Sequence, residues 1–392
     1  MHRKPRDDHE WELRKFVAPE FVFGTGARHL AGQYAKNFGA RKVLVVSDSG
    51  VIRAGWTGEV ISSLEDKKLP HTVFSAITAN PKDHEVMAGA ALFHAANCDS
   101  IVAIGGGSAM DCAKGIGIVS TSNRHILEFK GVDEVAFPTP PLICIPTTAG
   151  SSADVSQFAI ITDTQRNLKI AIASKAIVPD VALIDPETLT TMYPELTADT
   201  GMDAFVHAVE AYVSNAHSPV TDLFALESIQ LLTEYLAAAK DDPENVELRG
   251  KTMLASLDAG LAFSNASLGM VHAMAHSLGG FLGTSHGENN AALLPHVMAF
   301  NFDAVPGRYR TIGAAMGLDM EHSSDDQAKS MLVERVNRLA KSVGLDITIG
   351  HLGVRPQDIP LLAENAMNDP CMVTNPRRPS RHEVEALYEQ AL

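Results

Sequence analysis

The sequence predicts a chain in two parts, an α/β half built on a parallel sheet followed by an all-helical half. Three observations predict it. Short apolar runs alternate with helical patterns over the first ~150 residues, which implies parallel strands joined by crossover helices. After Asp185-Pro186 the Val/Ile/Thr runs give way to long Ala/Leu/Glu-rich segments. No internal repeat or low-complexity linker separates the two, so they are expected to pack closely around a cleft, where small-molecule sites tend to form. The boundary falls near 186–196, giving units of 1–190 and 191–392.

In order, Lys42 to Ser47 (Lys-Val-Leu-Val-Val-Ser) reads as a buried strand, and His71 to Ser75 and Ser100 to Ile104 read the same way. Helical patterns at 51–64 and 83–97 lie between them. Pro141 to Ile145 is a further strand ending at a proline, and Phe158 to Thr162, Leu168 to Ala173 and Val181 to Ile184 follow. In the second half, 197–215, 219–239, 244–264 and 326–343 repeat apolar residues at three and four positions. Pro219 stands where a helix would start and Gly344 where one would end.

Composition excludes several classes. The 392 residues are 45% hydrophobic and 20% charged, long enough for each half to bury its own core. No apolar run approaches the ~18 residues of a membrane span. Met1 to Arg14 is too charged for a signal or anchor. Cys98, Cys112, Cys144 and Cys371 lack metal or redox spacing and read as thiols of a reducing compartment, the cytoplasm. The formal net charge is -15. It divides into -3 over 1–195 and -12 over 196–392, which disfavours nucleic acid, anionic membranes and multiply charged anionic substrates. A solvated acidic helical surface accounts for it.

The strongest chemical signal is His272-Ala-Met-Ala-His276, followed by Gly279-Gly280 and His286-Gly287. His272 and His276 are four apart and share a helix face, and the glycines let the chain bend so that His286 returns to the same space. Asp203-Ala-Phe-Val-His207 is a second same-face pair. Any one of these alone reads as a core or capping residue. Together, one carboxylate and four imidazoles exceed what a divalent metal needs. Spacing alone does not say which of His272 and His276 binds it. His296, after Pro295 in an apolar stretch, reads as a core histidine.

A second signal is Ile104-Gly105-Gly106-Gly107-Ser108, a strand running into a glycine turn and then a helix. Such a turn can cradle phosphate on free backbone N–H groups, or be a plain tight turn. It lacks the Gly-x-Gly-x-x-Gly spacing. Pro146-Thr147-Thr148-Ala149-Gly150-Ser151-Ser152-Ala153-Asp154 can wrap a cofactor with hydroxyls, or cap a helix. Asp48, at a strand's carboxyl end, can bind ribose hydroxyls or act as an N-cap.

From about Val17 to Asn375-Pro376, these stretches resemble the iron-containing alcohol dehydrogenase family, in order and at fitting spacings, with most likeness to its branch acting on short-chain alcohols and diols. The resemblance implies a Rossmann-like N-terminal domain that binds the dinucleotide and a helical metal-binding domain, the architecture shared with dehydroquinate synthase. It implies NAD and one divalent metal per chain, Fe²⁺ ahead of Zn²⁺, held by Asp203, His207, His272 and His286. His276 would relay protons. Gly105, Gly106, Gly107 and Ser108 would hold the pyrophosphate; Thr147, Thr148, Ser151 and Ser152 would contact the cofactor. Lys169 would approach the nicotinamide ribose, Asn80 would line the adenine side, and Asp48 would favour NAD over NADP. A small alcohol or aldehyde is the implied substrate, and the assembly a homo-oligomer. One departure is the loop, where Ser152 replaces the family's second glycine.

Two rival functions fit the sequence less well. A lyase like dehydroquinate synthase would need a basic cluster for an anionic substrate, yet between 196 and 290 the only Lys or Arg are Lys240, Arg249 and Lys251. A non-catalytic cofactor sensor would be suggested by a missing ligand or relay, and none is missing. Phe158 and Phe263 could wall an apolar pocket, with core packing the plainer reading of each.

Overall fold

The computed structural model describes residues 12–166 and 168–392. The charged stretch read at the N-terminus therefore lies outside the described residues up to Trp11.

The first half opens with β1 (Glu20–Phe23), α1 (Ala31–Asn37), β2 (Val43–Val46), α2 (Ser49–Arg53), α3 (Trp56–Asp66) and β3 (His71–Phe74). It continues with α4 (Asp83–Ala95), β4 (Ser100–Gly105), α5 (Gly107–Ser122), β5 (Gly131–Val132) and β6 (Leu142–Pro146). β7 (Phe158–Asp163), β8 (Leu168–Ala173) and β9 (Val181–Ile184) close it. Six strands form one parallel sheet in the order β1-β9-β6-β4-β2-β3. β5, β8 and β7 make a smaller sheet in which β7 and β8 are antiparallel.

The unbroken apolar runs follow from burial on both sheet faces. Val43, Val45, Val102, Ile104, Ile143 and Ile145 fill one side. Leu44, Val46, Ile101, Ala103, Leu142 and Cys144 fill the other. The chain leaves β2 towards one edge and returns through β4 on the opposite side of β2. That reversal opens a crevice beyond the carboxyl ends of the two strands, where ligands bind in open α/β sheets. Asp48 and the glycine turn stand there.

Two features differ from the sequence reading. The stretch 51–64 is two helices rather than one, because Gly55 at φ 93° breaks it. β1 was not anticipated: it is a short edge strand whose Phe21-Val22-Phe23 run follows Pro19-Glu20, with Phe21 43% and Phe23 39% exposed.

The second half is helical: α6 (Pro194–Val213), α7 (Pro219–Asp241), α8 (Val246–Ala266), α9 (Met270–Leu282), α10 (His286–Phe302), α11 (Pro306–Ala315), α12 (Asp325–Ser342), α13 (Ile359–Met367) and α14 (Arg381–Ala391). These helices share one core. A separate cluster joins the halves, with Ala149, Val155, Ala182 and Ile184 from one side against Met253, Leu257 and Leu261 of α8. Among the described residues, no helix is long and apolar enough to cross a membrane.

Candidate active site

A cleft of about 1790 Å³ runs between the halves, ample for a dinucleotide and a small substrate. Its floor is set by α6. Asp203, His207 and Glu210 recur at four and three residues, so one helix face presents all three. Asp203, His207 and His272 offer donor atoms that all lie within 4.8 Å of one another. Asp203 Oδ1 is the meeting point: His207 Nε2 is 3.8 Å away, His272 Nε2 3.6 Å and His286 Nε2 3.6 Å. His286 completes the set through Asp203, outside the tighter group of three.

Neighbours hold each donor in place. Glu210 Oε2 lies 2.7 Å from His272 Nδ1, which favours the tautomer with Nε2 free to face Asp203. The same carboxylate accepts from the backbone N–H of Gly269 and Val271, so it also satisfies the start of α9. Asn290 Nδ2 donates to Asp203 Oδ1 at 2.8 Å. His207 is sandwiched between Phe263 and His272, with ring centroids at 4.3 and 4.5 Å. Asp199, one turn before Asp203, accepts from Ser285 Oγ and Glu288 N, fixing the start of α10 and so His286. Gly287 permits that approach, since a Cβ there would stand 2.0 Å from the Asp199 carbonyl oxygen.

The electrostatics match a cation site. Burial alone would raise the Asp203 carboxyl, but His207, His286 and His272 outweigh it and hold it well below the carboxylate range. Burial pushes His207 down to about 4 and His286 well below its ordinary value, so both favour the neutral, ligating form. Burial also opposes a proton on His272, yet Asp203 and Glu210 raise it to about 9. That proton stands where a divalent cation would replace it. One carboxylate oxygen and three imidazole nitrogens, each with an orienting neighbour or a packed ring, fit a first-row divalent metal.

His276 does not join this group. Its Nδ1 is 2.9 Å from Asp369 Oδ2, and its ring centroid lies 6.0 Å from that of His272 and 5.3 Å from that of His286. His296, further along α10, is partly buried and outside the cleft.

Above the cluster, Gly106, Gly107, Ser108, Asp48, Asn80, Thr147, Thr148, Ser151 and Lys169 all line the cleft. α5 begins at Gly107 and presents its free N–H groups there. The loop after β6 presses on this turn: a Cβ at Gly107 would stand 2.7 Å from Ser151 Oγ. Asp48 acts as the N-cap, one of the two readings of it. Oδ1 caps α2 through Gly50 N and Val51 N, and Oδ2 stays turned to the glycine turn, 3.3 Å from where a Gly105 Cβ would be. Burial lowers the Lys169 ammonium, with Asp203 and Asp111 acting against it.

Two expected cofactor contacts are placed elsewhere. Ser152, buried with φ 49°, bonds the carbonyl of Ser256 on α8 at 2.6 Å instead of facing the cleft. A residue there clamps the loop to the helical half. Gly105 lies behind the lining; its carbonyl accepts from Thr147 N at 2.9 Å, and Ala109 leaves no room for a side chain. Phe158 and Phe263, stacked with centroids 6.1 Å apart, do line the cleft.

Sequence reasoning missed Glu210, Asn290, Asp199 and Asp369. Glu210 could have been found, as the third polar residue on the Asp203–His207 face. Asp369 is 93 positions from its partner, and no local spacing links them.

Comparison with known proteins agrees with this geometry. Residues 18–186 match the family model described as iron-containing alcohol dehydrogenase, and residues 197–392 its C-terminal counterpart. The chain is 40% identical over 378 residues to alcohol dehydrogenase 4 of Schizosaccharomyces pombe, covering 96% of this chain and 89% of that one. It is 36% identical over 377 residues to the NAD-dependent methanol dehydrogenase of Bacillus methanolicus, covering 96% and 99%. A crystal structure of 1,3-propanediol oxidoreductase superposes with a TM-score of 0.95 at 36% identity, covering 97% of this chain and all of that one.

Proposed function

From a chain that belongs to the iron-containing alcohol dehydrogenase family and is an NAD-linked alcohol oxidoreductase, we propose a division of labour among its residues. Asp203, His207, His272 and His286 hold one divalent metal, Fe²⁺ before Zn²⁺. The observation that carries this is the convergence of three imidazole nitrogens on Asp203 Oδ1 at the base of the cleft. Gly106, Gly107 and Ser108 receive the pyrophosphate at the start of α5, with Thr147, Thr148, Ser151, Asn80 and Lys169 along the rest of the dinucleotide. The units 1–190 and 191–392 act as the dinucleotide-binding and metal-binding domains.

A divalent cation held there would make the alcohol hydroxyl more acidic, and the nicotinamide would accept hydride from the carbinol carbon. The chain does the rest. Phe158 and Phe263 wall the cleft beside His207 and keep water from the reacting carbon. Asp369 accepts from His276 Nδ1, leaving Nε2 to carry the hydroxyl proton towards solvent. Burial would raise the Asp369 carboxyl, but His276 holds it down, so it stays ionised to orient the ring. A site walled by Phe158 and Phe263, with no Lys or Arg among the helical-half residues that line the cleft, suits a small neutral alcohol or aldehyde. The lyase reading has no support from the relatives matched, which are dehydrogenases. The proposed setting is the cytoplasm, as a homo-oligomer.

Two measurements bear on this. Chelation of the purified protein is expected to abolish NAD-linked turnover across a panel of short alcohols and diols, with recovery on adding back about one divalent ion per chain. Full turnover after exhaustive demetallation would remove the metal from the mechanism. Asp48→Gly is expected to narrow or reverse a preference for NAD over NADP, because Oδ2 repels a 2′-phosphate. A wild-type protein using both cofactors equally would discharge Asp48 from that role.

A further inference from the structure

Outside the cluster at Asp203 stands a second group of possible metal donors: His276 of α9 with Asp369 and Cys371 from the turn after α13, their donor atoms all within 4.8 Å of one another. We propose that these three form a second metal site, selective for soft divalent ions such as Zn²⁺ and Cd²⁺, whose occupation inhibits the enzyme.

The turn is built for it. Asp369 Oδ1 accepts from Cys371 N at 2.8 Å, which folds Asp369-Pro370-Cys371 so that carboxylate and thiol come together. Asp369 Oδ2 reaches His276 Nδ1 at 2.9 Å. All three residues are partly buried and line the cleft, so an ion can enter from solvent and keep an open position. One nitrogen, one oxygen and one sulfur suit Zn²⁺ or Cd²⁺ and are poor for Mg²⁺. The site at Asp203 has no sulfur donor, so the two differ in chemistry as well as place. Binding releases one proton, from the Cys371 thiol, while the His276 Nδ1 proton moves to Nε2 of the same ring, and it involves no redox change.

Inhibition rests on the proposed relay role of His276: an ion bound to its ring ends the hydrogen bond to Asp369 and stops proton transfer. Binding itself does not rest on that role.

The test uses protein already loaded with its catalytic metal and titrated with Cd²⁺, read by the ultraviolet thiolate-to-cadmium charge-transfer band. The other three cysteines, Cys98, Cys112 and Cys144, are buried, so the band reports Cys371. It is expected to saturate at about one further Cd²⁺ per chain, to fall on adding Zn²⁺, and to track the loss of turnover. Cys371→Ser should lose the band while keeping the catalytic metal, and Asp369→Asn should weaken it. In wild-type protein, competition by Zn²⁺ needs no variant. No band, or one unchanged in both variants, would overturn the site. A full band with undiminished turnover would overturn the inhibition, and the relay role of His276 with it.

Discussion

His272→Ala is expected to lose its metal and its activity together, whereas His276→Ala keeps the metal and turns over about 10²–10⁴-fold more slowly, the usual cost of lost acid–base help. The two histidines share a helix and differ in what stands behind them. Behind His272 is Glu210, and in front of it Asp203 Oδ1 at 3.6 Å. Behind His276 is Asp369, 2.9 Å from Nδ1, and its ring stacks on that of His286 with centroids 5.3 Å apart. Metal content by elemental analysis and turnover over a range of pH distinguish the roles. A His276→Ala protein that lost its metal while His272→Ala kept it would exchange the two assignments. Water replacing the imidazole would lessen the loss in His276→Ala and flatten its pH profile.

Arg28→Met is expected to destabilise the fold by about 3–5 kcal/mol, the range for breaking a buried ion pair from one side. Arg28 is 6% exposed and bonds Glu59 at 2.6 Å, Asp185 at 2.6 Å and Glu187 at 2.5 Å. Burial works against its charge, yet the three carboxylates together raise its pKa. Asp185 is completely buried at the end of β9, where the chain turns towards the helical half. Methionine keeps the stem packed near Trp56 but leaves Asp185 unpaired and close to Glu187. Glu59 and Glu187 are partly exposed, so most of the loss comes from Asp185. A lower denaturant midpoint with an unchanged m-value is the readout. Asp185→Asn should recover part of the loss in the double variant. A change below about 1 kcal/mol would mean that water or a rearranged neighbour takes the place of the guanidinium.

What was legible in the sequence divides along physical lines. Strands β2, β4, β6 and β9 were readable because both faces are buried and nearly every residue is apolar. β1, at the sheet's edge, carries only the short run Phe21-Val22-Phe23, and none of its residues is fully buried. The helices around Asp203 were readable from their periodicity, and the group of five candidate donors from same-face spacing on α6 and α9 plus a glycine-delivered histidine; the choice of His272 over His276 came from the family resemblance, not from spacing. The supporting shell was not. Glu210 and Asn290 look like ordinary polar residues until a neighbouring helix brings His272 against them. Ser152 looked like a loop hydroxyl facing a ligand. Its left-handed backbone turns it into α8, and composition does not reveal which way a loop residue points.

The four residues proposed as ligands all come from α6, α9 and α10, packed within one helical core. The residues proposed to receive the pyrophosphate come from the other half. Widening the cleft would therefore carry the dinucleotide away without pulling any donor from its neighbours. With those sites occupied, exchange of spent cofactor and retention of the ion would be uncoupled in time: the first would recur at every turnover, while the second would change only when the helices themselves come apart.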